Sequence, residues 1–471
     1  MIYFSDSAES LSEKLVTGRV QGPVICEKPS DEFDLGSVLG RQIGKTNGPI
    51  ILTGHQPVFH HPGIVVKNLL AHELARRTGG TAIHMVHDTD EEEIVFQFPE
   101  RAGDSVRKQS VRLNGNGGIL QNESFPNAGR KQMREAVQNL YAGSRRVLAP
   151  EMAAQVHRSL DWLEEIIDSA TRPMDIPDQL RLKWEEANGI NVTTIYSSQL
   201  FESPAFRCFF DYIRAHGPRF RGVYNRLLQE YRLAKGIKNP AQPLPDLHQN
   251  ELPFWVVIDG NRTPFREGET SVDGSAKILP RAVTLTLFCR LFFCDIFIHG
   301  LGGERYDRIT DEILREFFDF AGAPFTAASA TLSLKPKADL RIDGREPRTI
   351  ARDLRALEFD PTRFLEKSNP IRTEKENKIR ERNQKPEMRA ALHREFLRLN
   401  SIARESLRNL EDDLGREQEK SRIAEINRSL YGARDLPFFF YDLTELFTAV
   451  RNYGLLFEKR SPSASLAAAR S

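Results

Sequence analysis

Apolar and polar positions change their spacing several times along the chain. Residues 1–48 are weakly patterned and punctuated by Gly18, Gly22, Pro23 and Gly48. Ile50 to Thr53 is a short apolar run that predicts a strand, and Pro62 to Arg77 carries Val65, Val66, Leu69, Leu70 and Leu74 on one helical face. Thr81 to His87 predicts a second strand. Strand, crossover helix and strand in that order read as a βαβ unit of a parallel sheet. After a polar loop at Asn114 to Gly118, helix formers dominate from Lys131 to Ser169 and from Pro204 to Lys235, and the proline-rich stretch 239–245 ends the second of these. Pro253 to Arg262 predicts a hairpin turning at Gly260-Asn261. The apolar segment Ala282 to Cys294 leads into a strand at Ile296 to His299, a glycine cluster at 300–303 and a helix over Ile309 to Phe320. Two strand-to-glycine-to-helix corners suggest two halves of one nucleotide-binding-type sheet.

From about Glu374 the composition shifts to Lys, Arg, Glu and Gln, with Leu392, Phe396, Leu399, Leu407, Leu410 and Leu414 at three-, four- or eight-residue steps. Pro386 can open a helix lasting to about Leu430, about 65 Å long at 1.5 Å per residue. That spacing predicts a coiled-coil arm, whose seam needs a partner: the 374–385 segment, the 131–169 helices, or another subunit in a homodimer. The block Leu436 to Tyr441 is expected to pack back on the body, and Ser461 to Ser471 to form a loose tail. The resulting division is 1–130 for the first half of the core, 131–250 for a helical insertion, 251–370 for the second half, 371–435 for the arm and 436–471 for the C-terminal segment.

A chain of 471 residues exceeds what one hydrophobic core usually supports. With 40% hydrophobic residues and 29 Phe it is not a disordered protein. Lys and Arg total 66 against 65 Asp and Glu, so the overall field gives no sign of a nucleic-acid partner. The longest apolar stretch, Val283 to Gly300, is broken by Arg290 and Asp295, which argues against a membrane span. The start Met1 to Asp6 has neither a basic nor a long apolar region, so a cytoplasmic location is expected. Cys26, Cys208, Cys289 and Cys294 show no CxxC spacing and are expected as reduced thiols.

The chemistry concentrates at the corners. Gly54, His55 and Gln56 follow the first strand, Pro62 opens the helix beside His61 and Gly63, and Lys67 lies one turn further on. A strand-to-helix turn gathers backbone N–H groups and the positive end of the helix dipole, which suits an anion. His87, Asp88, Thr89 and Asp90 end the second strand, so they and His55-Gln56 would face one crevice at the carboxyl ends of parallel strands. Six of the 11 histidines fall between His55 and His87. A metal site, a nucleotide or substrate corner, and ordinary core and surface histidines are all readings of that cluster, and no fixed metal-ligand spacing is present. Gly302, Gly303 and Glu304 would line the opposite wall, in a turn that is neither a Walker A nor a clean GxGxxG motif.

Taken together, Thr53-Gly54-His55-Gln56, His60-His61-Pro62-Gly63, Lys67, His87-Asp88-Thr89-Asp90, Leu279-Pro280-Arg281 and Ile298-His299-Gly300-Leu301-Gly302-Gly303-Glu304 resemble the bacillithiol biosynthesis cysteine-adding enzyme family. The order of parts is similar over residues 49–430. The resemblance implies an α/β protein with a Rossmann-like, class I nucleotidyltransferase-like core, a helical insertion and a C-terminal coiled coil. It implies a ligase that joins cysteine to glucosaminyl malate by an amide bond, with ATP as a candidate activator and an amino acid and an amino-sugar conjugate as small-molecule partners. The expected catalytic residues are His55, Gln56, Asp88 and Asp90; the expected nucleotide or substrate contacts are Gly54, His61, Gly63, Lys67, Gly302, Gly303 and Glu304. A nucleotidyltransferase with another substrate and a non-catalytic coiled-coil protein are the alternatives.

Overall fold

A computed structural model describes residues 1–17, 48–115, 118–258, 260–268, 276–341 and 345–458. Gly18, Gly22, Pro23, Cys26, Asn116, Gly117, Asp259 and the expected tail at 461–471 lie outside the described residues. The strands are β1 (Ile2–Phe4), β2 (Ile50–His55), β3 (Thr81–Val86), β4 (Val95–Ala102), β5 (Ser105–Arg112), β6 (Thr193–Tyr196), β7 (Glu251–Ile258), β8 (Asn261–Arg266), β9 (Lys277–Pro280), β10 (Ile296–His299) and β11 (Phe325–Ala330). The helices of the body are α1 (Ala8–Thr17), α2 (Pro62–Thr78), α3 (Asn127–Val147), α4 (Pro150–Ser169), α5 (Asp175–Ala187), α6 (Ser197–Leu200), α7 (Pro204–Ala215), α8 (Gly217–Lys235), α9 (Ala282–Phe292) and α10 (Leu301–Phe318). Four helices follow, α11 (Pro347–Phe359), α12 (Pro370–Gln384), α13 (Arg389–Ser406) and α14 (Arg408–Tyr431), and α15 (Thr444–Glu458) closes the described chain.

The protein is a mixed α/β structure built on a six-stranded sheet of order β1-β11-β10-β2-β3-β6. Strands β11, β10, β2, β3 and β6 pair in parallel, and β1 joins β11 antiparallel at one edge. Chain order therefore starts at the central β2, runs outward through β3 and β6, and then returns to the other side of β2 for β10 and β11. That reversal between β2 and β10 is the place where an open parallel sheet leaves a crevice beyond its strand ends. Both faces of the sheet are covered. Ile51, Ile298, Ala328 and Ala330 pack with Val65, Val66 and Leu69 of α2, while Leu52, Ile83, Ile195 and Phe297 pack with Phe206, Phe209, Phe288 and Phe317 of α7, α9 and α10. Continuous apolar runs such as Ile50-Ile51-Leu52 follow from that two-sided burial.

Helix α2 lies at the centre of the packing. Pro62 supplies its first position, the Nδ1 of His61 accepts the Gly63 N–H at 3.0 Å, and Gly79 closes it at φ 64. Beyond the sheet, its outer side is covered by the C-terminal segment, whose Phe438, Phe439 and Phe440 are buried, with Phe438 donating its N–H to the His60 carbonyl at 2.7 Å. Tyr453 of α15 reaches the Asp6 carbonyl at 3.0 Å and lies 4.5 Å, between ring centroids, from Phe4. The expectation that 436–441 packs back on the body is thereby met.

Several elements differ from the sequence reading. The hairpin β4–β5 was not anticipated because β5 reads Ser-Val-Arg-Lys-Gln-Ser-Val-Arg, with one fully buried position, Val106. Helix α5 and strand β6 were missed because the helix buries Asp178, Arg181 and Glu185, which hydropathy scores as surface. Helix α10 begins at Leu301 rather than Ile309, so Gly302 and Gly303 are first-turn helical residues. The expected arm helix is divided: a 3-10 turn at Pro386–Met388, then α13 and α14 meeting at Leu407. Its seam is covered within the chain, by Ile350 and Leu357 of α11 against Leu414, and by Lys375 of α12, which reaches Asn400. Cys208 is disulfide-bonded, against the expectation of a reduced thiol. It stands on the half-buried flank of α7, away from the Phe206-Phe209 face, whereas Cys289 and Cys294 are free thiols.

Candidate functional site

A cavity of about 510 Å³ opens at the carboxyl ends of β2, β3 and β10, within the range of about 300–1,000 Å³ usual for small-molecule sites. It joins the two corners found in the sequence: Gly54, His55, Gln56, His61, Gly63 and Lys67 on one side, Gly302 and Gly303 on the other, with Asp90 at the rim. Two expected residues stand elsewhere. Asp88 is buried and accepts from the Ser197 hydroxyl at 2.9 Å and from the Ser198 N–H at 3.0 Å and its hydroxyl at 2.5 Å, so it anchors the start of α6 and does not line the cavity. Glu304, absent from the lining, turns outward to the Tyr3 hydroxyl at 3.3 Å. Helical geometry explains this, because Glu304 follows Gly303 by about 100° around α10.

Close approach rather than torsion accounts for three of the glycines. A Cβ on Gly54 would stand 2.7 Å from the Met85 carbonyl oxygen, and one on Gly63 2.8 Å from the His61 ring. At Gly303 it would meet the His299 ring at 2.5 Å. The Gly63 N–H, expected to be open to an anion, is instead occupied by His61. The open N–H groups belong to other helices. Neither α9, starting after Arg281, nor α10, starting after Gly300, has a side-chain cap, and Ala282, Val283, Thr284, Leu301, Gly302 and Gly303 all line the cavity. Both positive helix ends thus face the same space.

Lys67 is the most unusual charge in the site. It is 3% exposed, its Nζ donates to the Gly54 carbonyl at 2.6 Å, and among the described residues no carboxylate pairs with it. Desolvation pushes its pKa down to about 7. The neighbouring histidines are uncharged at neutral pH: desolvation, aided by Lys67, holds His55 far below its ordinary value, and desolvation lowers His61 and His87 to about 4. Burial would raise Asp90, but the Gln56 amide at 3.1 Å, the Glu91 N–H and Arg262 outweigh it and keep the carboxyl below its usual range. Among the described residues, Lys67, Arg262, Arg281 and Arg434 are the cations of the lining and Asp90 its one carboxylate.

The far wall comes from β7, β8 and β9, and the sequence reading named none of its residues as site residues. Two guanidinium groups approach the Trp255 ring, Arg281 at 4.3 Å and Arg262 at 5.0 Å from its centroid. Arg262 pairs with Asp90 at 3.3 Å and Arg281 with Glu251 at 3.2 Å. The pattern of a hairpin was visible, but nothing in it tells which face would close over the strand ends. His299 was visible as the last residue of β10, yet its partner Asp307 lies eight residues on and is recognised only when α10 begins at Leu301.

The remaining histidines of the cluster separate. His60 and His84 are buried behind the cavity, ring centroids 5.3 Å apart, and His55 is 5.8 Å from His60. His84 points away from the cavity and bonds Asn68 at 2.9 Å. From Asn68 a buried polar chain continues through Glu185 to Arg181, which also holds Asp178 and Thr194. His72 is on the outer part of α2 beside Asn191. Among the described residues no group of three or more His, Cys, Asp or Glu side chains is placed to hold a metal ion, and no helix is long and apolar enough to cross a membrane.

Compared with known proteins, the chain matches no protein-family model and no curated protein sequence.

Proposed function

We propose that the protein is a carbon–nitrogen ligase whose cavity binds a carboxylate- or phosphate-bearing small molecule, with a Rossmann-like core resembling that of the bacillithiol cysteine-adding enzymes. Lys67 carries this proposal. A buried ammonium without a counter-charge costs free energy unless a ligand supplies the anion, and it stands at the reversal point of a parallel sheet whose strand order suits a nucleotidyltransferase-like core. Two uncapped helix N-termini favour the same charge. Arg262 and Arg281, held beside the Trp255 ring, add positive charge on the far wall. A nucleoside triphosphate, when bound, would supply the leaving group that activates a carboxylate. The chain's own residues would do the rest: Lys67 and the first-turn N–H groups of α10 bind and orient the anion, and Asp90, with Gln56, orients an incoming amine at the rim. The arm helices pair within the chain, so a homodimer through their outer faces is a separate proposal, testable by light scattering.

The test is calorimetric and chemical. Pyrophosphate, ATP and cysteine are screened for a rise in melting temperature of the full chain, and ATP, cysteine and glucosaminyl malate are then incubated together and assayed for amide product with release of phosphate or pyrophosphate. Binding of pyrophosphate that vanishes in Lys67→Met supports the anion site. Absence of any amide sinks the ligase assignment.

A further inference from the structure

Strand β10 ends in Phe297-Ile298-His299, and alternation puts Phe297 and His299 on the cavity side, their rings stacked with centroids 4.2 Å apart. The two ring nitrogens of His299 meet different surroundings. Nε2 lies 3.0 Å from Oδ2 of Asp307, close enough for charge pairing but not aligned as a hydrogen bond, as is common before a ligand seats. Asp307 is fully buried on the second turn of α10, and its Oδ2 also accepts Nη1 of the buried Arg290 at 3.0 Å. Burial alone would raise the Asp307 carboxyl, but His299 and Arg290 outweigh it and hold it ionised. Nδ1 faces the first turn of α10, where a Cβ at position 303 would stand 2.5 Å from it. Glycine at 303 therefore leaves room for this nitrogen beside an uncapped helix end.

The other cavity histidines lack such an arrangement. Nδ1 of His55 lies 3.2 Å from the Gln56 carbonyl, and Nδ1 of His61 is taken by the Gly63 N–H. Among the described residues, His299 alone of the cavity histidines has a carboxylate at ion-pair distance.

We propose that His299, with its proton drawn to Nε2 by the Asp307 carboxylate 3.0 Å away, is the base that takes the proton of the attacking amine at Nδ1, and that Asp307 is its positioning residue; this rests on the ligase reading above. The amine nitrogen attacks the activated carboxyl carbon and a C–N bond forms. The bond from that carbon to the phosphoryl oxygen breaks, and its electron pair leaves with the phosphate derived from the nucleoside triphosphate. The amine proton passes to Nδ1, and the imidazolium is stabilised by Asp307 until it releases a proton to solvent.

Nitrogen-15 NMR of the histidine-labelled full chain, with the His299 signals assigned by their absence in His299→Gln, reads the tautomer. Amide formation from ATP, cysteine and glucosaminyl malate reads the role. The expected result is a protonated Nε2 and a bare Nδ1 in the wild type, mixed tautomers in Asp307→Asn, and a loss of about 10²–10⁴-fold in kcat for His299→Gln with KM for ATP little changed. His299→Gln leaves the Arg290–Asp307 pair intact and decides the matter if Asp307→Asn does not fold. A ring protonated on Nδ1 in the wild type overturns the proposal whatever the activity, and so does undiminished turnover in His299→Gln. A wild type with the expected tautomer and a pyrophosphate-induced melting shift, but no amide product, overturns the base role together with the ligase reading and leaves the anion site standing.

Discussion

Replacing Lys67 by Met should make the protein more stable at pH 6 while abolishing anion binding. The fall of the Lys67 pKa from its ordinary 10.5 to about 7, at about 1.4 kcal/mol for each tenfold in the proton equilibrium, corresponds to about 5 kcal/mol of desolvation cost borne by the charged form. Below pH 7 both the folded and the unfolded chain hold the proton, so the whole cost remains. Between about pH 7 and 10.5 the unfolded chain holds a proton that the folded protein has released, so wild-type stability rises with pH over that window. Methionine fills a similar volume with no charge, and loses only the hydrogen bond to Gly54, worth about 1 kcal/mol. The variant should therefore exceed the wild type by about 2–4 kcal/mol at pH 6. Unfolding entropy of about 2.1 cal/mol/K per residue over 471 residues makes that a rise of about 2–4 °C in Tm. By pH 9 the gap should shrink by about 3 kcal/mol. Urea and thermal melts of both proteins at pH 6 and 9 measure it. A gap that does not change with pH, or a destabilised variant at pH 6, would refute an unpaired buried ammonium.

Other substitutions separate structure from site. Asp88→Ala removes the acceptor of three hydrogen bonds at the start of α6 and should cost about 1–3 kcal/mol in a urea melt, with pyrophosphate affinity by calorimetry unchanged, since Asp88 does not line the cavity. Arg181→Met leaves the buried carboxylates of Asp178 and Glu185 without their counter-ion and should cost about 3–5 kcal/mol; a smaller loss would mean that water reaches this pair. Phe439→Ala, at a fully buried ring packed 6.4 Å from Phe96 between centroids, should cost about 3–5 kcal/mol, read as a lower urea midpoint with an unchanged slope.

Much of the central sheet was legible because its signals are local. Ile50 to Thr53, Pro62 to Arg77 and Thr81 to His87 announce a βαβ unit through apolar spacing and a proline at the helix start, and the structure contains β2, α2 and β3 there. Arg181 shows the opposite case. Its helix pattern is interrupted by charges that are buried against one another, and pairing across α5, β6 and α2 leaves no trace in hydropathy. Asp88 and Asp90 were indistinguishable as letters two residues apart. In the folded chain one is consumed by Ser197 and Ser198 and the other faces Gln56 and Arg262.

Local patterning was enough to establish the β2–α2–β3 unit, the two glycine corners and the run of polar residues at the strand ends. These follow from steric and hydrophobic rules acting over a few residues. Folding in three dimensions was needed to set the corners on adjacent parallel strands, to close Trp255, Arg262 and Arg281 over them, and to stand Asp307 behind His299. Each of those facts joins positions that are distant in the chain or turn on where a helix begins, and depends on which faces must be buried together. The charge state of Lys67 follows from the same cause, because the fold buries its ammonium against the Gly54 carbonyl at the end of β2, thirteen residues away in the chain.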